Sequence, residues 1–203
     1  MNGLFNFKRL KNSIKIFSIY YGGCMIKTGI LLVIGCFTVS VFSADPHYIG
    51  SDKCAKMCHK GEKKGKQYEI WQKSKHAGAF TTLANEKSKE VATKMGIKGD
   101  PQKAPECLRC HVTAFDVKKE LVDPTCTHAE GVGCEACHGP GSEYRKLNNM
   151  KSHDLAVAAG LWEPNEAVCV KCHNKESPTY KPFTFEEAVK KDSHPIPGKA
   201  AKK

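Results

Sequence analysis

Beyond residue 43, apolar residues fall in short clusters broken by lysines, glycines and prolines, with no sustained alternation of β-branched residues. Strand signals are therefore poor, and little or no β structure is expected. Helical spacing of apolar positions points to segments at 66–85, 86–95, 143–150, 166–173 and 185–191. Thr184-Phe-Glu-Glu187 reads as a capping box, and Asn165 as the N-cap of the helix it precedes. Gly99-Asp-Pro101, Asp123-Pro124, Gly139-Pro-Gly141 and Pro195-Ile-Pro197 mark the loops between. Nine Phe, two Trp and six Tyr serve the whole chain. Short helices in long loops bury too little apolar surface to offset chain entropy by themselves.

The one long apolar run lies earlier, at 29–42 (GILLVIGCFTVSVF). It is short for a bilayer span and suits the core of a signal peptide covering residues 1–43, with Lys27 before it and cleavage near Ala44. Residues 1–24 have no place in such a signal, which makes Met25 the expected start. Val33-Ile-Gly-Cys36 resembles a lipoprotein box. Largely apolar residues follow Cys36, however, where a polar linker belongs, so lipid anchoring is the weaker reading. The expected mature protein is periplasmic or otherwise exported, with a domain at 44–197 and a basic tail at 198–203. No stable membrane insertion is expected after cleavage.

The chain of 203 residues carries +11, which suggests nucleic acid at first sight. Five basic residues and no acids fall within 1–43, so the remainder has 27 basic and 21 acidic residues, a net +6. No nucleic-acid partner is expected. The eleven cysteines are more informative. Eight form four pairs, each followed by His: Cys54-Ala-Lys-Met-Cys58-His59, Cys107-Leu-Arg-Cys110-His111, Cys134-Glu-Ala-Cys137-His138 and Cys169-Val-Lys-Cys172-His173. C-x-x-C-H is the attachment pattern of c-type haem. Thiols three residues apart share one side of a helical turn and can reach both vinyl groups of a porphyrin edge, while the next His supplies the proximal iron ligand. The first motif has one extra residue, which a slightly expanded turn would absorb. Zinc sites also use paired cysteines but do not require a His after each pair. With nine His in 203 residues, four such coincidences have a chance on the order of 10⁻⁶. Disulfides explain the pairing poorly, since cysteines three apart in a helix rarely bridge well. Four haems, covalently held, would supply the missing core. The expected fold is mainly α: short helices and long loops wrapped around four c-type haems.

Five histidines remain as sixth ligands: His47, His76, His128, His153 and His194. Met57, Met95 and Met150 read as packing or surface residues. Cys126, in Thr125-Cys-Thr-His128, is left over and reads as a free buried thiol.

These residues resemble the cytochrome c-554 family of tetrahaem electron carriers over nearly all of the expected mature chain. The resemblance is carried by Tyr48-Ile-Gly-Ser-Asp-Lys-Cys54, Trp71-Gln-Lys-Ser-Lys-His76-Ala-Gly-Ala-Phe80, Gly131-Val-Gly-Cys-Glu-Ala-Cys-His-Gly-Pro-Gly141 and Pro182-Phe-Thr-Phe-Glu-Glu-Ala-Val189. It implies His76, His153 and His194 as distal ligands of the third, first and fourth haems, and a five-coordinate second haem on His111. The chain departs from the family by His128, which could cap that iron, with His47 as the competing candidate. It departs also by the longer first motif and by an insertion at 61–66, both expected to alter only a loop.

The resulting expectation is an electron-transfer protein, not an enzyme, passing electrons between closely spaced, mostly bis-His haems to transient redox partner proteins. The alternatives are a redox enzyme acting on a small nitrogen oxide at the His111 haem, or a subunit of a larger haem conduit. No Lys replaces a proximal His, which would have favoured a nitrite-reductase-like centre.

Overall fold

Ten helices make up the regular structure, and most of them have only a turn or two. In the computed structural model, which describes residues 45–195, they are α1 (Ser51–Cys54), α2 (Gln67–Gln72), α3 (Ala79–Thr82), α4 (Glu86–Lys94), α5 (Pro105–His111), α6 (Cys134–His138), α7 (Leu147–Met150), α8 (His153–Ala158), α9 (Glu166–Cys169) and α10 (Phe185–Asp192). Helices of this length do not hold themselves in water, so their stability must come from what they pack against. Among the described residues there is no β-strand, only an isolated parallel bridge between Tyr48 and Val122. No helix among them is long and apolar enough to cross a membrane. The described residues belong to one compact unit, Ser43–Lys203. The signal at 1–43, the candidate box at Cys36 and the tail at 198–203 lie outside the described residues.

Two expected helices form nearly as read, α4 and α10, and the others fragment. The 66–85 stretch splits into α2 and α3, because residues 73–78 take up turns that carry His76. Only the last turn of 143–150 is helical, and 166–173 keeps only α9 before a run of turns. Asn165 caps α9 as expected, its side chain accepting from the Val168 amide at 3.3 Å. Thr184 holds the N-cap position of α10 in extended geometry but makes no side-chain cap bond.

The apolar core is slight. The buried hydrophobic residues are Ile49, Leu83, Leu108, Val112, Tyr144 and four alanines, while Leu147, Leu155, Trp162 and Val170 stand exposed. At roughly 25 cal/mol per Å² of buried apolar surface, such a core contributes little. Polar contacts hold the ends of the motif segments instead. Glu135, inside the third motif, is completely buried. Its carboxylate accepts from the Ile49 amide at 3.0 Å, the Gly50 amide at 2.7 Å and the Gly141 amide at 2.6 Å. Burial pushes its carboxyl up from the ordinary range, and the three N–H donors pull it back down. One side chain thus ties α6 to the entry of α1 and to the loop that follows α6.

Glu130 makes a parallel link, accepting from the Ser51 amide at 2.8 Å, and receives the Cys126 thiol at 3.6 Å. Cys126 is a half-buried free thiol, pushed up to about 12 by burial first and by the Glu130 carboxylate next.

Removal of the Glu135 acceptor strands three amides, so Glu135→Ala should cost about 3–5 kcal/mol, seen as a lower denaturation midpoint of the folded protein. Glu135→Gln should lose less than half as much; equal midpoints for Glu135→Ala and wild type would remove Glu135 as an anchor. Cys126 should react with iodoacetamide on the order of 100-fold more slowly than an exposed thiol at neutral pH. Glu130→Gln should speed that labelling, because the raised pKa falls when the carboxylate is gone; mass spectrometry of the alkylated protein reads both.

Candidate haem-binding site

The second and third Cys–His motifs each occupy a short helix, whereas the first and fourth begin in a helix and continue beyond its end. Cys107, Cys110 and His111 lie on α5, Cys134, Cys137 and His138 on α6, and Cys169 at the end of α9 with Cys172 and His173 just after it. The first motif opens in α1 and continues as a π-helical turn, Ala55–His59. A π turn takes one more residue than an α turn, which is how the third intervening residue is absorbed without displacing His59 from Cys58.

All eight motif thiols are free of disulfides, as is Cys126. The motifs lie next to one another. The Cys134 amide donates to Ser51 Oγ at the start of α1 at 3.1 Å. Lys171, inside the fourth motif, stands 4.5 Å over the ring of Trp162, and the Trp162 amide donates to the His138 carbonyl at 2.9 Å. Cys172 Sγ lies 4.0 Å from the Arg109 carbonyl of the second motif. Their order in space is therefore first, third, fourth, second.

Histidines from distant parts of the chain face two of the proximal ones. The rings of His76 and His173 stand edge to face at 88° with centres 6.0 Å apart, and those of His138 and His194 at 45° with centres also 6.0 Å apart. Two metal–nitrogen bonds of about 2 Å, plus the ring dimensions, put the centres of two imidazoles on opposite sides of one metal ion about 6 Å apart. Burial first, and then a nearby imidazole, lowers His138, His173 and His194 from the usual histidine range. Each is thereby held neutral, the form that binds iron.

His76 is positioned from two sides. Its carbonyl accepts from the Val132 amide at 2.9 Å, and Gly131, at φ +66°, lets the third-motif loop approach so closely that a Cβ there would meet the His76 and Ala77 carbonyls at 2.7 Å. Asp192, at the end of α10, lies 3.6 Å from His76 Nδ1. Carboxylates in this place orient metal-bound imidazoles. A lone Asp near a chain end gives no such signal in the sequence, and Glu135 gives none either, because a Glu on a short helix reads as exposed.

His111 is oriented through its other nitrogen, with Nδ1 2.7 Å from the Ala79 carbonyl. That contact leaves Nε2 as the metal-facing nitrogen. A cavity of about 490 Å³ runs beside it, lined by Cys107, Cys110, His111, Leu83, Val91 and Ala92. Free thiols, an oriented imidazole and an apolar cavity of this size fit a covalently attached macrocycle.

Other expected ligands stand elsewhere. His128 lies across α3 from the second motif, its ring 6.0 Å from Phe80, which packs on the Leu83–Leu108–Val112 cluster beside Cys107. Among the described residues the His128 ring pairs with Phe80 and not with His111. His153 is 59% exposed and sits 3.2 Å from Glu163 and 3.6 Å from Asp154. His47 is on the opening segment, its amide bonded to Ser142. The resemblance implies His76 for the third haem and His194 for the fourth; the ring neighbours here are His173, in the fourth motif, for His76 and His138, in the third, for His194. Among the described residues, neither His59 nor His111 has a second imidazole at the 6 Å spacing.

The family model of cytochrome c554 and c-prime matches residues 53–139. Cytochrome c-554 of Nitrosomonas europaea is 32% identical over 176 residues, covering 73% of this chain and 70% of that protein. Multiheme cytochrome MtrA of Shewanella baltica is 30% identical over 83 residues, 37% of this chain and 25% of that protein. No solved structure matches the chain. A mainly helical chain with haem-attachment motifs, covalently bound haem c and an electron-transfer role, it belongs to the cytochrome c-554 family.

Proposed function

We propose that the chain is an exported electron-transfer protein with four haems, bound through Cys54, Cys58 and His59; Cys107, Cys110 and His111; Cys134, Cys137 and His138; and Cys169, Cys172 and His173. The observation that supports this reading is the succession of neighbouring motifs, first–third–fourth–second, with two pairs of imidazole rings whose centres are 6.0 Å apart. Bound haem supplies reversible one-electron iron chemistry, and closely spaced irons pass electrons along. The protein's own residues do the rest. The cysteines would fix position, His76 with His173 and His194 with His138 would each hold an iron, and Asp192 and the Ala79 carbonyl set the orientation of His76 and His111. Two imidazoles per iron favour a lower potential than a His–Met pair. Its partners are redox proteins that dock transiently.

A second reading, chemistry on a small nitrogen oxide at His111, is favoured by one observation: among the described residues no second imidazole ring pairs with His111, and the His128 ring packs on Phe80 instead. A five-coordinate iron with an exchangeable position would follow.

Electron paramagnetic resonance of the oxidised protein tests both readings. Low-spin signals from the two paired sites should be accompanied by a high-spin signal that cyanide converts. His76→Ala and His194→Ala should each turn one low-spin centre high-spin, whereas His128→Ala should leave the spectrum unchanged. A new high-spin signal in His128→Ala would make His128 a ligand and close the second reading. Unchanged spectra in both His76→Ala and His194→Ala would overturn the assigned pairs.

A further inference from the structure

The insertion after the first motif is more than a longer loop. Residues 53–75 contain eight lysines and two glutamates, a net +6. That equals the whole net charge of the chain beyond residue 43, so the remaining residues there sum to zero. A run of lysines is ordinarily a solvated face. Here it is folded into a fixed shape. The Gly61 carbonyl accepts from the Lys64 and Lys66 amides at 3.1 Å each, and the Gly61 amide donates to Glu69 Oε1 at 2.9 Å. Gln67 Nε2 clamps the exit of the loop to the Pro195 carbonyl at 3.0 Å. Lys66 is held at φ +52°, a left-handed conformation that is strained for a non-glycine residue and persists only where the surroundings enforce it.

Lys56, Lys60, Lys63 and Lys64 are exposed. Within the loop, the acid Glu62 is occupied by Lys66 in an i,i+4 ion pair at 2.5 Å. Lys64 lies five residues beyond His59, so the loop carries its charge beside the first motif. In the spatial order of the motifs the first is one end of the row. At the opposite end the charges are mixed: Arg109 pairs with Glu176 at 2.9 Å, and Lys75 and Lys87 share the cavity beside His111 with Glu106 and Glu176. Fixed charge at one terminus of the row is the arrangement that steers an oppositely charged partner to that terminus.

We infer that the lysine loop at 56–66 is the docking surface for an acidic redox protein, which meets the chain at its first-motif end. The inference rests on the electron-transfer reading, and names the face and the charge of the partner.

An acidic plant-type [2Fe–2S] ferredoxin serves as the probe for the holoprotein. Binding is measured by calorimetry, and electron transfer from the reduced ferredoxin by stopped-flow absorbance, both at several salt concentrations. Lys60→Glu, Lys63→Glu and Lys64→Glu combined should weaken binding and slow transfer on the order of tenfold, and flatten the salt dependence. Lys94→Glu, Lys98→Glu and Lys103→Glu combined, the same change in net charge on α4 and the loop after it, should leave both close to wild type. Equal losses in the two triple variants, or no salt-dependent binding by wild type, would overturn the inference. Binding that depends on the loop without electron transfer would support the docking surface and instead remove the electron-transfer reading. Sedimentation with phosphatidylglycerol vesicles gives the remaining outcome: loop-dependent vesicle binding with unchanged ferredoxin binding would assign the surface to lipid and overturn the acidic-protein partner.

Discussion

Covalent attachment of haem through cysteine is the constraint on which the rest of this structure depends. Four of the nine buried hydrophobic side chains are alanines, and the helices that carry the motifs are one or two turns long. Elements this short gain too little from their own hydrogen bonds to persist alone. An apolar macrocycle tethered at two thiols and one imidazole gives each of them a large surface to pack on. It also explains why large apolar residues such as Leu147, Leu155 and Trp162 stand exposed on the polypeptide while its polar anchors are buried.

Those anchors divide the labour with the motifs. The motif residues are local: their spacing within one turn determines what they can hold, and the π turn at Ala55–His59 shows the backbone adjusting to keep that local geometry when a residue is added. Glu135 and Glu130 act at long range, joining α6 and the segment before it to residues 49–51. Asp192 reaches from the end of α10 to His76, and Gly131 lets His76 approach the third-motif loop. The order of the motifs depends on these few polar links, because no sheet and no extended helix packing is available to set it among the described residues.

What could be read from the sequence follows the same division. The motif cysteines and their histidines were legible because attachment chemistry imposes spacing within five or six residues. The helices α4 and α10, and the Asn165 cap, were legible because their signals are local too. The fragmentation of 66–85 was not, since His76 has to leave helical geometry to meet His173, about a hundred residues later. The same holds for the ring pairs His76–His173, His138–His194 and Phe80–His128. Each is decided by tertiary contacts, on which periodicity and spacing carry no information. Glu135 gave no signal for a related reason: a charged residue within a short polar motif looks solvated, yet here three backbone amides need it.

The number of covalently attached haems is the quantity on which the account turns, and the intact mass of the exported, purified protein measures it directly. A single species heavier than the processed polypeptide by four haem masses is the predicted result. A stably folded protein carrying three or fewer would contradict it, and peptide mapping would show which of the four Cys–His turns had been left without its macrocycle.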